Sequence, residues 1–156
     1  MANTVSTDRI QRSIDIKAPR SRVWRALTNA DELSEWFGVN LKGCTFTPGQ
    51  PARGPITIDG YRHVAFEVLV ERMVPERLFS WRWHPYAVDP NVDYSGEPRT
   101  LVVFELEAIA GGTRLTVVET GFDALPVHRR ADAVKMNDQG WTDQMGNIDR
   151  YVRAQA

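Results

Sequence analysis

The last quarter of this chain constrains the fold of everything before it. Val134, Trp141, Met145, Ile148 and Val152 recur at seven-, four-, three- and four-residue steps, which puts one apolar stripe on a helix of roughly 25 residues. Gly140 and Gly146 lower the helix propensity by about 1 kcal/mol each, so packing must hold it. The stretch upstream has a different period. Val64, Phe66, Val68 and Val70 alternate with polar neighbours over His63–Met73, and Phe79, Trp81 and Trp83 share one face of Leu78–His84. Val102, Phe104, Leu106 and Ala108 line one face of Thr100–Ile109, and Leu115, Val117 and Glu119 one face of Thr113–Phe122. Consecutive strands of this kind form an antiparallel sheet, on which the terminal helix must bury its stripe. The expected class is α+β.

The remaining elements fit that frame. Ile10, Ile14 and Ile16 alternate in a first strand, with Arg12 as a charged exception on the apolar face. Pro19 opens a short helix containing Val23, Trp24 and Leu27. Asn29 ends that helix or caps the next, Asp31–Phe37, which Gly38 stops. Residues 39–60 are rich in Gly and Pro and predict short strands near Lys42–Thr47 and Arg53–Asp59, giving about six strands after the two helices. Val74 to Arg77 forms a tight turn, and Gly111-Gly112 a hairpin turn, since both residues can take positive φ. Asp123 is placed to cap the last helix and Pro126 to sit in its first turn. Residues 1–8 read as a flexible tail and 9–156 as one domain.

Composition narrows the function classes. Nineteen Lys+Arg balance twenty Asp+Glu, which lacks the basic field of a general nucleic-acid binder. The single cysteine, Cys44, forbids an intrachain disulfide and a four-cysteine zinc site. No apolar run can insert in a membrane, and Met1–Arg9 lacks a signal-peptide core, so a cytoplasmic protein is expected. Ten per cent of the residues are aromatic, a surplus that fills either a core or a ligand cavity.

Several residues stand out as candidates. Counting by twos aims Glu119 inward, where a carboxylate orients a ligand or acts as a general base, pairs with Arg12, or escapes at the strand end. Phe79, Trp81 and Trp83 line a pocket if their face is concave, and lie under the insertion or at a subunit interface if it is convex. Residues 85–98 form a long irregular insertion of turn formers, of the kind that serves as a binding loop. Its Tyr86 and Tyr94 either close a cavity mouth or pack on their own loop. Phe104, Trp141 and Met145 face the interior as packing or as cavity wall, and Asn137 supplies a polar anchor if it points inward. His63 and His84 lie near strand ends, with His84 the better placed for binding, and Arg82 offers a second polar group. Arg129-Arg130 reads as a solvated face. Catalytic residues are not identified, and nothing matches a phosphate loop.

Several segments together carry a family likeness. Ala18-Pro19, Val23 to Thr28, Trp36-Phe37-Gly38, Val74 to Trp81, Gly111 to Val117, Glu119 to Phe122 and Gly140-Trp141 follow one another over residues 9–153. In this order they resemble the SRPBCC (START/Bet v 1-like) superfamily, and within it the branch named after the activator of heat-shock-protein-90 ATPase. The resemblance implies a helix-grip fold: a bent antiparallel sheet wrapped around the C-terminal helix, two short helices after the first strand, and an internal cavity. It implies binding of a small hydrophobic or aromatic molecule there; a monomer or homodimer is expected. It also admits a cyclase- or hydrolase-like enzyme on an aromatic or polyketide-like substrate, using Glu119 with His84 or Tyr86. The branch name further implies a chaperone partner, but the eukaryotic activator uses an extra N-terminal domain for which this chain has no room. Oxygenases of the superfamily hold iron through two His and a carboxylate. His63, His84 and His128 lack that spacing, so neither a metal nor a cofactor is carried over.

Overall fold

The computed structural model describes residues 8–154. The elements are β1 (Arg9–Ile16), α1 (Arg20–Thr28), α2 (Ala30–Phe37), β2 (Pro51–Pro55), β3 (Ala65–Val74), β4 (Leu78–Trp83), β5 (Thr100–Ile109), β6 (Gly112–Thr120), a 3-10 turn (Phe122–Ala124) and α3 (Val127–Ala154). The six strands form one sheet in the order β1-β6-β5-β4-β3-β2, every pairing antiparallel. Four successive hairpin pairings build β2 to β6, and β1 closes the far edge beside β6. The helices cover one face, which makes the α+β helix-grip arrangement. No helix of the described residues is long and apolar enough to cross a membrane.

Local chemistry sets the boundaries. Asn29 does both jobs open to it: its backbone N–H donates to the Arg25 carbonyl, and its Oδ1 accepts from the Glu32 N–H at 3.0 Å. Gly38 ends α2 at φ 85°, the left-handed conformation a glycine adopts without steric cost. The two glycines of the β5–β6 hairpin have separate roles. Gly111 takes φ 82°, whereas Gly112 is needed for space: a Cβ there would sit 2.1 Å from the Ile16 carbonyl oxygen.

Three segments depart from the sequence reading. Residues 42–47 form no strand, and β2 is the strand that pairs with the outer edge of β3. The segment instead sends Leu41 and Phe46 into the core. Five strands therefore follow the helices among the described residues. β2 itself lies earlier than expected and carries a proline at each end, which an edge strand tolerates. Asp123 belongs to the 3-10 turn rather than capping α3, and Pro126 precedes the helix, its carbonyl accepting from the Arg129 and Arg130 N–H groups. The expected tail lies outside the described residues except for Asp8. That residue is anchored: its carbonyl accepts from the Gly121 N–H and its Oδ1 from the Asp123 N–H.

Trp141, Met145, Ile148 and Val152 of α3 are buried as the stripe requires, with Ala133 fully buried and Val134 half-buried at its start. Phe79, Trp81, Val102, Phe104, Leu115 and Val117 face them from the sheet and are fully buried. Arg12 escapes its apolar face by reaching α3, where it pairs with Asp138 and donates to Thr142. Glu32 joins the helices, accepting from the Tyr151 hydroxyl at 2.8 Å and pairing with Arg22 and Arg25. Gly112→Ala forces a methyl group against the β1 end and should lower stability by about 2 kcal/mol. Urea denaturation would show this as a lower midpoint with an unchanged slope.

Candidate functional site

The interior between the sheet and α3 is filled rather than hollow. The Phe37 ring meets Phe66, Trp81, Trp83 and Trp141 at centroid separations of 5.5, 6.0, 6.5 and 6.1 Å. Phe104 lies 5.1 Å from Trp81 and 5.6 Å from Trp141. Edge-on rings of this kind interlock and leave no room for a ligand. The free space lies at the edge of this cluster. An open cleft of about 600 Å³ runs between the end of α2, the β2–β3 hairpin, the 84–99 connection and α3. Phe37, Ile56, Phe66, Trp83, Tyr86 and Tyr94 give it an apolar wall. Asn137 and Gln144 reach it from α3, and His63, His84, Arg53 and Arg99 supply further polar groups.

Glu119 lies one layer behind the cleft with no exposed surface. Its Oε1 accepts from Trp141 Nε1 at 2.8 Å and Asn137 Nδ2 at 2.9 Å. Its Oε2 accepts from Trp83 Nε1 at 2.8 Å, Thr100 Oγ1 at 2.6 Å and Asn137 Nδ2 at 3.2 Å. A carboxylate offers about four lone-pair positions, and four donor groups occupy them. Burial pushes the carboxyl above the usual glutamate range. Hydrogen bonds from Thr100, Trp83, Trp141 and Asn137 pull it back, and burial prevails. No cation takes part: the expected alternative partner, Arg12, is committed to Asp138.

The 84–99 connection is held from the start of α3. Arg129 donates from Nε and Nη2 to Glu97 Oε1, at 3.0 and 2.8 Å, and from Nη1 to the carbonyls of Pro85 and Tyr86, at 2.9 and 3.0 Å. Its guanidinium also lies 4.8 Å from the centre of the Tyr94 ring. The Arg129 and Glu97 side chains are only 11% and 16% exposed, so this latch is largely shielded from water. Tyr86 is held at φ 50°, a strained value for a bulky residue, and the fixed carbonyl helps to maintain it. His84 Nε2 bonds to the Glu97 carbonyl, His63 Nε2 to the Val88 carbonyl, and the Asp89 N–H donates to the Tyr94 hydroxyl.

The profile of the family described as Activator of Hsp90 ATPase homolog 1-like protein matches residues 17–153. The chain belongs to this family. Solved structures of similar shape include MLL2253 from Mesorhizobium loti, with a TM-score of 0.73 and 23% identity over 95% of this chain and 98% of that one. A protein from Arthrobacter aurescens gives a TM-score of 0.73 at 19% identity, over 98% of this chain and 90% of that one. DynU16, from the dynemicin biosynthetic locus, gives 0.69 at 23% identity over 94% of this chain. This chain spans about half the length of DynU16, 47%. At such identities the likeness concerns the fold. No curated protein matches the sequence.

In this family member, Trp83, His84, Tyr86, Tyr94 and Asn137 border the cleft. Phe79, Trp81, Phe104, Trp141 and Met145 do not: they are buried in the packed interior, where ring fills ring. Glu119 also misses the cleft and touches it only through Trp83 and Asn137. Arg82 turns outward to pair with Glu71. Arg129 is no solvated face but the centre of the latch. Its partners lie 32 to 44 positions away, so no local pattern marks it. Among the described residues, no group of three or more His, Cys, Asp or Glu is arranged to hold a metal ion.

Three outcomes follow from this geometry. Glu119→Ala strands four donors, those of Thr100 and Trp141 fully buried, and should cost roughly 3 kcal/mol or more in urea denaturation. Because burial raises the folded-state pKa above the unfolded one, the carboxyl favours folding most when protonated. The stability of the wild type relative to Glu119→Gln should therefore rise as pH falls through the raised folded value towards about 4.3; a fall would contradict the assignment. Arg129→Ala should speed amide exchange across 85–98 by roughly tenfold or more, while β5 and β6 keep their protection, as read by hydrogen–deuterium exchange mass spectrometry.

Proposed function

We propose that the cleft beside Trp83 binds one small, largely apolar molecule with a flat ring. The observation that carries this reading is the combination of volume and wall. About 600 Å³ lies within the range of small-molecule sites, and aromatic side chains from α2, β3, β4 and the 84–99 connection meet around it. Family members commonly bind hydrophobic ligands, which agrees with that wall. The location differs from the internal cavity expected from the sequence. The interlocked rings close the space under α3, so the ligand sits at their edge, against Trp83 rather than among Trp81, Phe104 and Trp141.

An acid–base enzyme built on Glu119 draws no support from this geometry. Its lone pairs are occupied, and Trp83 and Asn137 stand between it and the cleft. The polar groups on the wall instead serve to orient a ligand. Protein purified without denaturation should carry a small apolar molecule visible by native mass spectrometry. A panel of small aromatic compounds should include binders that raise Tm by roughly 5 °C or more at a hundredfold excess over Kd. No bound mass and no shift across the panel would sink the reading.

A further inference from the structure

The way Glu119 is filled fixes what the α3 wall can offer a ligand. Asn137 Nδ2 lies 2.9 and 3.2 Å from the two Glu119 oxygens. Those oxygens also receive the indole N–H groups of Trp141 and Trp83, which can only donate. An acceptor pair already engaged in this way holds the nitrogen end of the Asn137 amide. The oxygen end, Oδ1, makes no hydrogen bond among the described residues, and Asn137 is half-buried on the cleft wall. Gln144, the other α3 side chain on the cleft, is tied at both ends of its amide. Its Nε2 donates to the Phe37 carbonyl at 2.8 Å, and its Oε1 accepts from Asn147 at 3.1 Å.

We infer that the ligand is an aromatic molecule carrying a neutral hydrogen-bond donor, a phenol-type hydroxyl or a ring N–H, which it gives to Asn137 Oδ1. This rests on the cleft being the binding site and adds its chemical class. The Trp83 ring, pinned through its own N–H to Glu119, lines the same cleft as Asn137. Glu119 acts here as a positioning residue that holds both groups at once. A ligand carboxylate brought to the same place would meet an acceptor with an acceptor. An acid would instead favour the cleft's cationic side chains, Arg53 and Arg99, which are exposed.

Three probes of similar size separate the possibilities: 2-naphthol, 2-methoxynaphthalene and 2-naphthoate, each titrated calorimetrically into the full chain at neutral pH. The hydroxyl should bind about fivefold or more tightly than the methyl ether, the ratio that one neutral hydrogen bond supplies. It should also bind more tightly than the carboxylate. In Asn137→Ala the hydroxyl should lose this advantage to within about twofold. Should that variant fail to fold, the Asn137 side-chain amide resonances of labelled wild type, assigned through bonds, provide the second measurement. They should shift with 2-naphthol and stay in place with 2-methoxynaphthalene. Equal binding of alcohol and ether, or tightest binding of the acid, overturns the inference and leaves the cleft as a binding site. Failure of all three to bind overturns both.

Discussion

The cleft end of this protein is organised by one buried carboxylate. Glu119 on β6 accepts from Trp83 at the end of β4, from Thr100 at the start of β5, and from Asn137 and Trp141 on α3. Taking a carboxyl out of water is costly, and no cation offsets the cost here. What makes the burial tolerable is complete hydrogen bonding by neutral donors whose positions are set by the sheet and the helix. Moving any one of those elements breaks a bond in the interior, so the knot fixes their mutual placement more narrowly than apolar packing could alone.

The aromatic residues divide the labour around that knot. Trp81, Phe79, Phe104 and Trp141 fill the space between sheet and helix, whereas Phe37 closes it from α2. Trp83 belongs to both worlds: its indole N–H is held by Glu119 and part of its ring faces the cleft. Opposite it, Arg129 holds the 84–99 connection by two carbonyls, a carboxylate and a tyrosine ring. A cleft walled by an irregular segment would collapse or splay without such a tie, because that segment has little regular backbone pairing of its own. Walls anchored on both sides give a site whose shape is set before a ligand arrives.

Period-two alternation through β3 to β6, the 3.6-residue stripe on α3, and capping by Asn29 and Gly38 are local consequences of backbone geometry, so the sequence by itself determined them. The α+β layers follow, since a striped helix and a one-faced sheet have only each other to cover them. The inward aim of Glu119 followed from the same counting. Three things were decided only by the tertiary structure. The 42–47 segment formed no strand, and Leu41 and Phe46 turned into the core. The interior closed because neighbouring rings met edge to face, which displaced the open space to the α2 end. The partners of Glu119 and Arg129 came from strand order and from where α3 comes to rest along the sheet, bringing together residues 18 to 44 positions apart. Hydrogen-bond partners over such distances depend on ångström-scale placement, and no periodicity in the chain encodes it.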